Sequence, residues 1–259
     1  MDFTPKIYES LLDQIQSKEY QFLTYNDFHL HQDDSIKKVT LRHDVDLKKE
    51  NSLAFAKIQH QRGIKATYYF RTIPQSYDEK VIQDIYNMGH EIGYHYETMD
   101  TARGNVDKAY EEFCQSLKMF RKLAPVSTVC MHGSPMSKFD NRDIWNKYNY
   151  KDLDLIAEPY FDVNFNNTYY LTDTGRRWNG SKVSVRDKAM DSSTIDNDNF
   201  LKRDYKCTSD LIKGFNDEDF PKKIMMTFHP QRWEDNKLQW IKELVLQNLK
   251  NQVKRLIVK

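Results

Sequence analysis

Several well-separated stretches of the chain stop on residues that bind metals or move protons. LRHDVD ends on His43, Asp44 and Asp46, HEIGYHYE on His95 and Glu97, VCMHGSP carries His132, and MMTFHPQRW carries His229 and Arg232. A further stretch, TYYFR, ends on Arg71. Carboxylates and neutral imidazoles together are ligands for a divalent ion of the zinc type. Such an ion lowers the pKa of water, a neighbouring carboxylate can take the proton, and an imidazole opposite can protonate a leaving group. This is equipment for hydrolysing an amide or an ester. Side chains i and i+2 of a strand face the same way, so Asp44 and Asp46 can converge.

Taken singly, each residue has a plainer reading. An Asp after a strand is commonly a helix cap, and Asp46 before Leu47 and Lys48 could be one. A lone His is more often a satisfied surface or core residue than a ligand. His29, His31 and His60 read that way, and His90 opens its strand and so stands at the wrong end. The case for His43, Asp44, Asp46, His95, His132 and His229 is collective, because all of them close a strand-like run.

The elements that must position them alternate. Strand-like runs are KVTLRH, IKATYYFR, HEIGYHY, VSTVCMH and, later, KIMMTFH, with TYYL inside a less regular stretch from about 140 to 222. Helical spacing marks Ile7, Leu11 and Ile15 behind Thr4 and Pro5, the stretches 48–62, 78–88 and 105–123, and a long amphipathic C-terminal helix with Leu238, Ile241, Leu244, Val245, Leu249 and Val253. Strand alternating with helix predicts a parallel sheet, and a single β/α barrel places every strand's end on one rim, where active sites are built. No linker divides the chain. It reads as one domain, 1–259, with helices 4–17 and 236–253 packed on the barrel and a decorated second half.

Composition narrows the function. The 259 residues hold 39 basic and 38 acidic side chains, a net charge of +1 with no global basic field, which argues against nucleic-acid binding. Mean hydropathy is −0.81, yet 14 Phe, 16 Tyr and 4 Trp can build a core. No apolar run approaches the ~20 residues of a membrane span. The start, MDFTPKIYESLLDQ, lacks signal-peptide features, so a cytoplasmic location is the expectation. Cys114, Cys130 and Cys207 read as reduced thiols.

The ordered set LRHDVD, ATYYFR, GHEIGYHYE and a late strand ending in His resembles the polysaccharide deacetylase superfamily, the NodB-homology or carbohydrate esterase 4 family, from about Val39 to Trp233. Within it the chain is most similar to an HDVD-type, WbmS-like group of deacetylases linked to surface-polysaccharide and O-antigen synthesis. The resemblance implies a distorted (β/α) barrel of about seven strands and metal-dependent removal of acetyl groups from a carbohydrate substrate, with zinc the expected ion. It assigns Asp44 as base, Asp46 and His95 as ligands and His229 as general acid. The family's second metal His falls on Met99, a poor zinc ligand. His132 is the favoured third ligand, with Glu97 and His43 as alternatives. HGSP, 132–135, takes the approximate place of the family's third motif, whose Arg contacts the base. GRRWNG, 175–180, offers Trp178 for sugar stacking and Arg176 or Arg177 for polar contact, and Trp233, Tyr94 and Tyr96 are further stacking candidates. Arg71, Glu97, Trp178 and Arg232 are the expected substrate-binding residues. Met99 also keeps open an inactive deacetylase-like domain that binds a glycan or partner, and a hydrolase of a non-sugar amide is a third reading.

Overall fold

Among the described residues the alternation becomes a sheet of seven strands in which every pairing is parallel. This computed structural model describes residues 1–31, 33–134, 137–178 and 203–257, with side chains to 252. The order is α1 (Pro5–Ser17), β1 (Gln21–Leu23), α2 (Tyr25–Leu30), β2 (Lys38–Val45), α3 (Lys49–His60), β3 (Thr67–Phe70), α4 (Glu79–Asn87), β4 (Glu91–Tyr96), α5 (Thr98–Thr101), α6 (Val106–Arg121) and β5 (Val129–Met131). Two 3-10 turns lead to α7 (Pro159–Asp162), β6 (Tyr169–Thr172), α8 (Thr208–Gly214), β7 (Lys223–Phe228) and α9 (Lys237–Ile257).

The strands run β5-β4-β3-β2-β7-β6, with β1 beside the first half of β2. Neighbours in the sheet are neighbours in sequence except where β7 returns to β2, so the sheet is a half-barrel left open between β5 and β6. Every strand points the same way, and all their C-terminal ends therefore meet on one rim. The short β1 and α2 have no strong periodic signal in the sequence.

The two faces of the sheet hold different cores. Outside, α1, α3, α4 and α6 bury Leu11, Phe55, Ile82 and Phe113 against Leu41, Tyr68 and Ile92. Inside, Tyr25, Tyr69, Cys130, Tyr170 and Met225 form a smaller cluster. Gly93 is required by that interior. It pairs with Tyr69 in register, and a Cβ there would collide with the Tyr69 ring and crowd the Thr128 carbonyl. The glycine of the GHEIG stretch thus makes room for an aromatic crossing the barrel.

The C-terminal helix meets the domain through one side, where Trp240 Nε1 donates to the Asp2 carbonyl and Asn251 Nδ2 to the Gly175 carbonyl, and its other side leaves Leu238, Ile241, Val245 and Leu249 exposed.

Candidate metal and catalytic site

Asp46 follows the end of β2, and three imidazoles from three other strand ends surround it. His95 Nε2 and His132 Nε2 each stand 3.5 Å from Asp46 Oδ1, and His229 Nε2 stands 4.0 Å from Oδ2. Asp46 does not cap α3. The residue before that helix is Lys48, in the left-handed region with φ 53° and no side-chain cap bond.

The ring tautomers follow from what holds the opposite nitrogens. His95 Nδ1 lies 2.9 Å from the Cys130 carbonyl, which can only accept, so Nδ1 carries the proton and the Nε2 lone pair faces Asp46. His132 Nδ1 lies 2.9 Å from Glu97 Oε2, another acceptor, and its Nε2 likewise faces Asp46. Glu97 in turn accepts from Arg71 Nε at 3.0 Å and Nη2 at 2.6 Å. Burial pushes the Glu97 carboxyl up, but the His132 and Arg71 bonds outweigh it and bring it down to about 2. Burial disfavours a charged His132, yet its bond to Glu97 and the Asp46 charge raise its pKa overall.

Asp46, His95 and His132 offer ligand atoms that all lie within 4.8 Å of one another. Asp46 Oδ1 is buried and accepts no hydrogen bond among the described residues, while Gln231 Nε2 donates to Oδ2 at 2.9 Å. Burial works to raise the Asp46 carboxyl, and the imidazoles of His95, His132 and His229, when they carry a second proton, outweigh it and hold the carboxyl well below the usual range. An orphaned carboxylate oxygen between two oriented imidazole lone pairs has the donor set of a zinc-type ion, and the residues fit one.

Asp44 lies one layer deeper, with Oδ2 3.8 Å from His95 Nε2. Arg42, two residues earlier on the same face of β2, grips it bidentately: Nε donates to Oδ1 at 2.7 Å and Nη2 to Oδ2 at 2.6 Å. The guanidinium lies 5.3 Å from the centre of the Tyr160 ring. His229 has its own buried partner. Its Nδ1 lies 2.6 Å from Asp173 Oδ1, which follows β6, and Asp173 Oδ2 accepts from the His229 amide at 2.9 Å and from Trp233 Nε1 at 2.7 Å. Arg232 Nη1 donates to Asp173 Oδ1 at 2.8 Å. Arg232 Nη1 also lies 2.9 Å from His229 Nδ1, but the 2.6 Å approach of the Asp173 carboxylate oxygen calls for a proton on Nδ1, and Nε2 faces the centre of the site.

The structure thus gathers Asp44, Asp46, His95, His132 and His229 and separates other candidates from them. His43 alternates to the outer face of β2, stacked on Tyr68 at 4.2 Å with its ring nitrogens near the Thr67 carbonyl, Gln59 and Tyr8. Burial, chiefly, brings its pKa down to about 3. Met99, where the resemblance would place a second ligand His, is packed in the outer core. Trp178 is not a stacking face: it is 4% exposed, donates to Thr208 Oγ1 and packs edge-on to Phe228 and Trp233. Trp233, Tyr94 and Tyr96 are buried as well. Arg71 and Glu97 face each other, and Arg232 faces Asp173, so their charges are turned toward protein groups. Arg176 Nη1 donates to the Arg232 carbonyl. Pro135, Asn179 and Gly180 lie outside the described residues.

Sequence reasoning passed over Arg42, Asp173 and Gln231. The first two carried usable signals: Arg42 shares Asp44's face by the two-residue strand period, and Asp173 closes the run YYLTD as the other site residues close theirs.

No family model matches the chain, and no curated protein matches it. Among solved structures it is similar to a family 4 carbohydrate esterase from Bacillus anthracis, at 13% identity over 93% of this chain and 85% of that one, TM-score 0.44. It is similar to a CE4 esterase from Streptococcus mutans, at 12% identity over 92% and 90%, TM-score 0.43. A CE4 family pseudoenzyme from Bacillus anthracis is similar at 13% identity, over 85% of this chain and 63% of that one, TM-score 0.44. Among the described residues no helix is long and apolar enough to cross a membrane.

Proposed function

We propose that the chain is a metal-dependent hydrolase that removes an acetyl group from a sugar, with a precursor of a surface glycan as the substrate class. The observation that carries this reading is the orphaned Asp46 Oδ1 between the His95 and His132 lone pairs, beside Asp44 and facing His229. Asp46, His95 and His132 are the ligands in this reading. A divalent ion held there would polarise the acetyl carbonyl and make water acidic. Asp44, fixed by Arg42, takes the proton as water attacks the carbonyl carbon. His229 acts here as an imidazolium: its Nδ1–H stays committed to Asp173 and its Nε2–H goes to the departing amine or hydroxyl, after which the Asp44 proton leaves to solvent and His229 takes one up. Glu97 and Arg71 keep the His132 ring in its binding tautomer.

The test pairs metal content with turnover. Purified protein loaded with zinc, cobalt or manganese salts should retain about one equivalent of ion after gel filtration, by analogy with three-ligand sites. Asp46→Ala, His95→Ala and His132→Ala should lose it, while Asp44→Asn and Asp173→Asn keep it and lose acetyl release from N- and O-acetylated sugars. An Asp44→Asn protein as active as the parent overturns the role given to Asp44. Met99 at the family's second His position favours a second reading, an inactive domain that binds glycan. Its signature is no retained ion in the parent and unchanged glycan binding in Asp46→Ala.

A further inference from the structure

The outer face of α9 has the wrong chemistry for a surface bathed only in water. Leu238, Ile241, Val245 and Leu249 recur at three- and four-residue spacing and are 79%, 52%, 52% and 60% exposed. Leu246 adds to the same side. The face that docks on the domain carries Trp240, Gln247 and Asn251, so the helix turns its polar side inward and its aliphatic side outward. Among the described residues nothing covers the stripe.

Charge identifies the occupant. Residues 237–259 carry six basic side chains and one acidic one, Glu243, whereas the rest of the chain holds 33 basic and 37 acidic. Five of those six basic residues fall within the helix, 237–257, so the positive charge of a nearly neutral protein is concentrated on this one element. Lys237, Lys242 and Lys250 are exposed alongside the aliphatic stripe. A second copy of the chain would bring one strongly basic helix against another, a like-charge pairing that works against self-association. An anionic bilayer complements both features, apolar contact below the headgroups and basic side chains among them.

We propose that α9 is a peripheral docking surface for an anionic lipid bilayer, lying in the interface without crossing it. Five exposed aliphatic side chains supply the apolar contact, and the lysines bind the headgroup charge. This surface is independent of the metal site, and its failure would leave the hydrolase reading untouched.

The test is co-sedimentation of the full chain with vesicles of phosphatidylglycerol and phosphatidylcholine in equal parts, against vesicles of phosphatidylcholine alone. The parent should sediment with the anionic vesicles and be released by about 0.5 M salt, where screening shortens to a few ångströms. Lys242→Glu with Lys250→Glu should weaken binding roughly tenfold or more, since each basic residue near an anionic surface is worth about fivefold. Ile241→Gln with Leu249→Gln should weaken binding by a similar factor with unchanged circular dichroism and Tm, because both side chains are already exposed. Equal affinity for the two vesicle types overturns the proposal. So does a parent that dimerises in sedimentation velocity, is converted to monomer by the Gln pair, and has no affinity for anionic vesicles.

Discussion

Replacing Arg42 with methionine should be among the most damaging single changes in the protein. The guanidinium and the Asp44 carboxylate form a buried pair, both at least 96% shielded from solvent, through two charge-assisted hydrogen bonds of 2.7 and 2.6 Å. Methionine fills part of the volume and leaves the carboxylate buried without its cation. Breaking a buried pair from one side costs about 3–5 kcal/mol, whereas replacing both partners with apolar groups is often near neutral. At roughly 2–4 °C per kcal/mol for a chain of this size, the single variant should melt about 6–20 °C lower. Urea denaturation followed by circular dichroism at pH 7 should show that loss, and Arg42→Met with Asp44→Leu should recover at least half of it. Glu158 provides a second readout. Burial is the main force raising its carboxyl to about 7, opposed by the Met131 amide and the Arg42 charge. A folded pKa above the unfolded value makes its contribution present in acid and lost as pH rises through about 7. Without Arg42 that pKa moves further up, and the decline in stability between pH 6 and 8 should steepen. A single variant within about 1 kcal/mol of the parent, or a double variant as unstable as the two singles summed, would refute the account of this pair.

Glu97→Gln removes the charge that orients His132 while leaving Asp46, His95 and His132 in place; competition with a chelating dye should show metal affinity reduced about 10–100-fold, and an unchanged affinity would mean the pairing is incidental. Gly93→Ala forces a methyl into the Tyr69 ring and should cost about 1–3 kcal/mol in urea denaturation, with Gly93→Ala/Tyr69→Leu recovering part of it. His43, held neutral with a pKa of about 3, contributes stability that is complete above its unfolded value of 6.5 and lost as pH falls below it, about 2 kcal/mol by pH 5. Glu158 acts in the opposite sense over the same window, so the measurement is the difference: His43→Phe should lose about 2 kcal/mol less than the parent between pH 7 and pH 5, and identical slopes would refute the assignment.

Much of the site was legible because strand periodicity and strand ends are local properties. Runs such as LRHDVD and HEIGYHY declare where a strand stops, and in a parallel barrel every such stop lands on one rim. That reasoning groups Asp44, Asp46, His95, His132 and His229 on the rim, and wrongly adds His43 to them. The orientation of His43 was also within reach, since a residue between Arg42 and Asp44 must face the other way. Partnership was not legible. Arg71 and Glu97 look like substrate contacts in the sequence and become a buttress for His132 only when β3 and β4 lie side by side. Asp173 becomes the partner of His229 because β6 returns next to β7, a pairing that no local pattern encodes. Trp178 could equally have stacked on a sugar or packed in the core, and its burial against Phe228 settled that. The stripe on α9 shows the same division. Its spacing fixed a helix with one aliphatic face, whereas the direction of that face was set by which side of the helix found partners on the folded domain, because periodicity defines a face but long-range contacts choose what it meets.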